Sequence, residues 1–363
     1  QYFETLVQWH LGWPPELALN GVRIFLSRQR EDGFIARSVP STPTHDHEHV
    51  KPFLAQIVML CLRGWPRDAQ AKAFLADPEL MRRLLAYLRY WTEECDAGGA
   101  FSGLSVWESA PHTGMDNQHE RAGWWRDRVS AGVDLNCYLV RELRAMAELC
   151  TAAGDKWSAE AESLREQADR RAERVRDLLW DDELGFFFDG NARADEEVWC
   201  RSASRGSHGW RPKADRLIRV SSVAGFAPLW AGVAEPAQAR RLVSEHLLEP
   251  LRFWSPAPVA VLARDEPFYN PRQLPGDVGC NWRANAWLPT NYMLIHGLRA
   301  YGFDAIAEVL RDRTRAYMGG PEFREYYASE TGAGCGLGPF WGWTLLAHFI
   351  PREDERLSEL IRI

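Results

Sequence analysis

No stretch of the 363 residues approaches the roughly 18 uninterrupted apolar residues that a membrane span requires. No long basic run and no basic–aromatic repeat occurs. The 43 basic and 50 acidic residues are interleaved to a net charge of -7. Neither nucleic acid nor an anionic membrane is therefore an expected partner. No CxxC pair is present, and seven cysteines stand apart at positions 61, 95, 137, 150, 200, 280 and 335. An odd number without close pairing argues against a disulfide framework and a zinc site, and suggests reduced thiols in a cytoplasmic protein. None has an obvious activating base nearby, so no nucleophilic cysteine is expected. No Ser/Gly/Pro-rich linker and no repeat of about 20–50 residues divides the chain, which is expected to form one domain over residues 1–363. An acidic D-x-D-x-D-G loop is also lacking, and no cofactor or metal is expected.

What is present is tryptophan and helical periodicity. Seventeen tryptophans supply flat apolar surfaces with one donor each, which suit the C–H faces of sugars as well as a protein core. Leu135, Leu139, Leu143, Met146 and Cys150 share one helical face, as do Trp157, Leu164, Ala168, Val175 and Leu179, and again Ile306, Leu310 and Tyr317. Pro14 and Pro15 precede a further helix. The pattern predicts helices over 1–11, 15–30, 48–64, 78–95, 132–153, 156–179, 222–231, 235–247, 285–301, 303–318, 341–349 and 352–361. Strand signals are few: WDDELGFFFDG reads as a short hairpin and RVSSVAGF holds a brief β-branched run. The expected class is all-α, paired helices joined by long loops.

Trp, Gly, His, Asp and Asn concentrate in those loops, which is where a rigid scaffold carries its chemistry. Residues 107–121, WESAPHTGMDNQHER, hold Glu108 and Asp116 among aromatic and small residues. A carboxyl in such surroundings keeps its proton and serves as a general acid; the plainer reading is a loop whose Asp and Asn make turns. Residues 323–343, FREYYASETGAGCGLGPFWGW, offer Glu325 and Glu330 before a Gly-rich run. That run follows no convincing strand, so its glycines are expected to let backbone lie close to a ligand rather than to cradle phosphate. Residues 276–293 combine Trp282, Arg283, Trp287, Asn291 and Tyr292, stacking surfaces with directional donors. His45, His47 and His49 alternate along THDHEHV beside Asp46 and Glu48, but lack the HExxH arrangement of a zinc protease, and a solvated or substrate-facing cluster is the simpler reading.

Seven segments, in order, resemble the bacterial branch of glycoside hydrolase family 63, the mannosylglycerate and glucosylglycerate hydrolases, in the same clan as the family 37 trehalases. They are PELALNGVRIFLSRQREDGFI, VWESAPHTGMDNQ, VDLNCYLVREL, LWDDELGFFFD, FWSPAPVAVLARDEPFYNP, NWRANAWLPTNYMLIHGLRAYGFD and FREYYASETG. The resemblance implies an (α/α)6 barrel and hydrolysis with inversion of a small α-glucoside or α-mannoside. It implies Asp116 as general acid and Glu325 as general base. It also implies Trp107, Trp282, Arg283, Trp287, Tyr292 and Trp341 around the sugar, with Gln56 from an early helix and Asn117, Gln118 and Arg121 beside the acid. The division of labour agrees with an inverting mechanism, in which one carboxyl protonates the departing oxygen and the other activates a water. Glu108 and Asp116 share one short loop, which makes them a poorer pair.

Two departures matter. After Asp-Asn the family reads Ser-Pro-Arg, whereas this chain has Gln118, His119, Glu120 and Arg121, with APHT inserted before Gly114. This region helps recognise the leaving group. The family's W-D-x-x-F segment has no counterpart after Gln1, so the first part of the barrel is expected to be missing. Competing readings are an epimerase or lyase of the same barrel using the His cluster, and a carbohydrate-binding relative without turnover.

Overall fold

The computed structural model describes residues 1–39, 46–124, 126–194, 215–272, 281–353 and 355–363. Among them are fifteen α-helices and a few strands of two or three residues. The helices come in unlike pairs, and the sequence explains the difference. Val133–Ala152 is buried nearly all round, polar Asp134, Asn136, Arg141 and Glu142 included. It packs against Ser158–Leu179, which is rich in charge and buries only a stripe of Ala161, Leu164, Ala168, Ala172, Val175 and Leu179. Leu288–Ala300 and Asp304–Met318 repeat the contrast, the second burying Ala307, Leu310, Thr314 and Met318. One helix of each pair is inside and its partner covers it, the arrangement of a two-layered helical barrel. Leu54–Gly64 is another inner helix, packed between Val133–Ala152 and the helices Tyr2–His10 and Glu16–Ser27. The hydrophobic core is continuous from Tyr2 to Ile361.

Helix ends follow local chemistry. Asp77 accepts from the amides of Glu79 and Leu80 and precedes Pro78, fixing the start of Pro78–Arg89. Asp68 caps Ala69–Ala76 in the same way. The inner helix Leu54–Gly64 has no cap of its own; Glu142 of the neighbouring inner helix accepts from Ala55 N at 2.6 Å and Gln56 N at 3.2 Å.

The periodicity placed most helices within a few residues. It started one at 48 where the helix begins at Leu54, because Pro52 keeps Lys51 out of helical backbone. It overlooked Ala69–Ala76, too short to show a clear stripe. The helix expected over 341–349 is a 3-10 turn, Trp343–Leu345, followed by Leu346–Phe349. The expected hairpin at 180–190 is present, Trp180–Asp181 pairing antiparallel with Phe186–Phe187. No helix among the described residues is long and apolar enough to cross a membrane.

Candidate active site

Asp116 sits in a turn between two four-residue helices, Ala110–Thr113 and His119–Ala122. Gly114 enters that turn with φ +89°, and a Cβ there would lie 3.1 Å from Lys51 Nζ. The turn is bolted to the segment that follows residue 280. Asn117 Oδ1 accepts from Trp282 N at 2.9 Å, and Asn117 O from Arg283 Nε at 2.9 Å. Gln118 Nε2 donates to Trp282 O at 2.6 Å and Gln118 Oε1 accepts from Ser222.

Glu325 arrives from the far end of the sequence, next to the short strand Tyr326–Tyr327. Its backbone amide donates to Leu337 O at 3.0 Å, and its Oε2 accepts from Leu337 N at 3.1 Å. Trp343 Nε1 donates to its carbonyl at 3.2 Å. Gly336, with φ +69°, makes this loop possible: a Cβ there would stand 2.6 Å from Glu325 Oε2. Partial burial raises the Glu325 pKa above the usual carboxylate value, Leu337 N opposes that, and the charge of Asp116 raises it further.

A cavity of about 430 Å³ is lined by the neighbours of Asp116, Gly114 and Met115, and by Trp282, Trp343, Tyr138, Lys51 and Arg37 among others; Asp116 and Glu325 are not themselves among its lining residues. Arg37 Nε lies 2.8 Å from the buried carboxylate of Glu48. Lys51 Nζ has no hydrogen-bond or ion-pair partner among the described residues; burial and Arg37 lower its pKa, while Asp116 opposes the shift.

Several expected pocket residues belong instead to the scaffold. Arg121 is 1% exposed and lies between two buried carboxylates: it pairs with Asp134, and its Nε stands 2.7 Å from Asp189. Trp107 is fully buried and donates to Asp134 at 2.9 Å. Gln56 is fully buried too, bonded to Pro52 O, Glu142 and Arg141. Arg283 is held by Glu120 at 2.5 Å and by Asn117 O. Trp287 lies between Trp282 and Tyr326, and Tyr292 is packed against Phe3 and His296. None of these six lines the cavity, and neither does Gln118. Trp341 is 66% exposed on the Glu325 loop and does not line the cavity either. Apart from Trp341, these side chains carry polar groups of the kind that bind sugars, but each polar group already has a protein partner or is sealed in the core, which sequence spacing does not reveal. Of the residues expected around the sugar, Trp282 does line the cavity. Lys51, Arg37, Tyr138, Met115 and Trp343 were not among the expected site residues, although Lys51, Met115 and Trp343 lie in the segments that drew attention and tryptophan was a residue type that suits sugars.

His47 and His49 do not come together in a site. His45 lies outside the described residues, and His47 is paired with Asp46 at 3.3 Å. His49 is buried, its ring nitrogens bonded to Ile35 and Tyr87 backbone, and burial lowers its pKa to about 4. Among the described residues no histidine lines the cavity. Among the described residues no group of three or more His, Cys, Asp or Glu is placed to hold a metal ion. The described cysteines, Cys61, Cys95, Cys137, Cys150 and Cys335, are free thiols, and burial raises Cys61 and Cys95 to about 12. Cys200 and Cys280 lie outside the described residues.

Comparison with known proteins agrees with the helical architecture. The crystal structure of a GH63 mannosylglycerate hydrolase from Thermus thermophilus in complex with Tris superposes with a TM-score of 0.71 at 22% identity, covering 97% of this chain and 92% of that one. Neutral trehalase Nth1 from Saccharomyces cerevisiae superposes at 0.54 with 17% identity, covering 85% of this chain and 64% of that one. These likenesses establish the (α/α)6-barrel fold. In sequence, a mannosylglycerate hydrolase of Thermus thermophilus is 32% identical over 176 residues, 48% of this chain. The match spans about a third of that curated relative, 35% of its length. The family model described as "Mannosylglycerate hydrolase MGH1-like glycoside hydrolase domain" matches residues 6–344. The chain belongs to this glycoside hydrolase family.

Proposed function

We propose that the chain hydrolyses a small α-glucoside or α-mannoside with inversion, Asp116 acting as general acid and Glu325 as general base. What supports this reading is that the charge of Asp116 adds to the upward shift of the Glu325 pKa, and that the immediate neighbours of Asp116 line the same cavity as Trp343, which bonds Glu325. Mutual repulsion favours one proton held between the pair, the state an acid–base couple needs. A raised pKa makes Glu325 the stronger base toward water. Leu337 N and the Gly336 turn fix the orientation of its carboxylate. In the reaction Asp116 donates its proton to the glycosidic oxygen as that bond breaks. Glu325 takes a proton from a water attacking the opposite face of the anomeric carbon. Such a pair stands about 6.5–9.5 Å apart.

Trp282 and Trp343 give the cavity flat apolar walls for a sugar ring. Lys51 suits a leaving group with a carboxylate, as in glucosylglycerate or mannosylglycerate. A bound carboxylate would favour the charged form of Lys51 that burial disfavours. The epimerase or lyase reading finds no histidine at the cavity among the described residues.

The test is turnover on α-glucosides and α-mannosides, including glucosylglycerate, mannosylglycerate, kojibiose and trehalose, by the parent protein, Asp116→Asn and Glu325→Gln. One substrate cleaved by the parent, with losses of at least about 100-fold in both variants, is expected. Turnover that survives both changes sinks the assignment. Binding without turnover in the parent favours a carbohydrate-binding relative.

A further inference from the structure

Three stacked rings join the Asp116 turn to the Glu325 strand. Trp282, whose backbone is gripped by Asn117 and Gln118, stacks on Trp287 with centroids 3.7 Å apart and planes 10° from parallel. Trp287 stacks on Tyr326, the residue after Glu325, at 4.6 Å and 19°. Trp287 is 1% exposed, and its Nε1 donates to Asn281 O at 3.2 Å, which stops the middle ring from tilting. The strand side is fixed separately: Ala286 and Tyr327 exchange backbone hydrogen bonds of 2.8 and 3.0 Å. Ordinary core packing asks only for apolar volume. Near-parallel plates held at both ends also impose a length.

We infer that the Trp282–Trp287–Tyr326 stack is a spacer that sets how far apart Asp116 and Glu325 stand; as an account of catalysis it rests on the hydrolase reading above. The rings are then positioning residues. The separation of the two carboxyls decides whether a water fits between the base and the anomeric carbon. Stacked aromatic plates are close-packed and do not compress, so they hold such a distance better than a flexible loop.

The test compares Trp287→Leu with Trp287→Phe. Glutamate is labelled with 13C at the side-chain carboxyl, and the Glu325 signal is assigned by its loss in Glu325→Gln. Its titration is followed with Asp116 present and with Asp116→Asn. The difference between the two titrations measures the coupling of the pair without any need for turnover. Removing the middle plate lets the outer rings close in on the space it leaves. Trp287→Leu should therefore show a larger coupling than the parent, and Trp287→Phe should match the parent. An unchanged or smaller coupling in Trp287→Leu overturns the spacer. If Trp287→Leu does not fold, Tyr326→Leu against Tyr326→Phe asks the same question from the other end of the stack.

Turnover supplies a second readout on whichever glycoside is cleaved. A misplaced pair should lower kcat by about 100-fold with KM little changed. A rise in KM with kcat intact would mean that the rings bind sugar rather than set distance, and would also overturn the inference. Should no glycoside be cleaved, the hydrolase reading falls, while the coupling measurement still decides the spacer.

Discussion

At the scale of single residues, charge in this protein takes two opposite forms. Arg121 is sealed between Asp134 and Asp189, whereas Lys51 faces a cavity, its Nζ without a partner among the described residues. Breaking a buried pair leaves its partners charged and desolvated. Arg121→Met should therefore cost about 3–5 kcal/mol in urea unfolding, and a loss below about 1 kcal/mol would contradict this packing. Lys51→Met should leave stability nearly intact. It should lower kcat/KM for a glycoside with a carboxylate leaving group by about 10–100-fold, and for a neutral one by far less. Equal losses on both would show that Lys51 does not read the leaving group. The sequence made Asp116 and Glu325 legible, because each stands in a distinctive segment with glycine and tryptophan around it. It could not separate Lys51 from Arg121. A loop cation looks the same whether its partner is a carboxylate over sixty residues away, as Asp189 is for Arg121, or a ligand.

At the scale of elements, the inner helices hold one another by polar contacts inside an apolar core. Burial raises the Glu142 pKa to about 7, although backbone amides of Leu54–Gly64 favour its charged form. The folded-state value is above that of an unfolded glutamate. The associated stability is thus complete below about pH 4.5 and lost as pH rises through 7. Over that window the protein should lose about 3 kcal/mol from this group, and the loss should vanish in Glu142→Gln. Urea unfolding between pH 4.5 and 8 measures it, and a slope that persists in the variant would assign it elsewhere. Helices were legible where a stripe repeats over several turns, as along Ser158–Leu179. The inner helices were legible as helices but not as inner, since their polar residues resemble those of a solvated face. Leu54–Gly64 was extended too far upstream because Val50 and Phe53 fit the apolar rhythm, and the proline between them decides the backbone.

At the scale of the whole molecule, the barrel was not readable from periodicity, which says how each helix is buried but not how pairs close on one another. It came from the order of the seven segments, and the structural likenesses bear it out. What closure achieves is to bring Gly114 and Met115, the neighbours of Asp116 a third of the way along the chain, and Trp343, which bonds Glu325 near its end, to a common cavity of about 430 Å³. The pairing of an acid and a base across that cavity is the central claim, and its most direct test is the anomeric configuration of the first product. Proton NMR within the first minutes of cleavage of an α-glycoside, before mutarotation, should show the β-anomer of the released sugar. Accumulation of the α-anomer instead would require a covalent intermediate on one of the two carboxylates and would contradict the roles of Asp116 as acid and Glu325 as base.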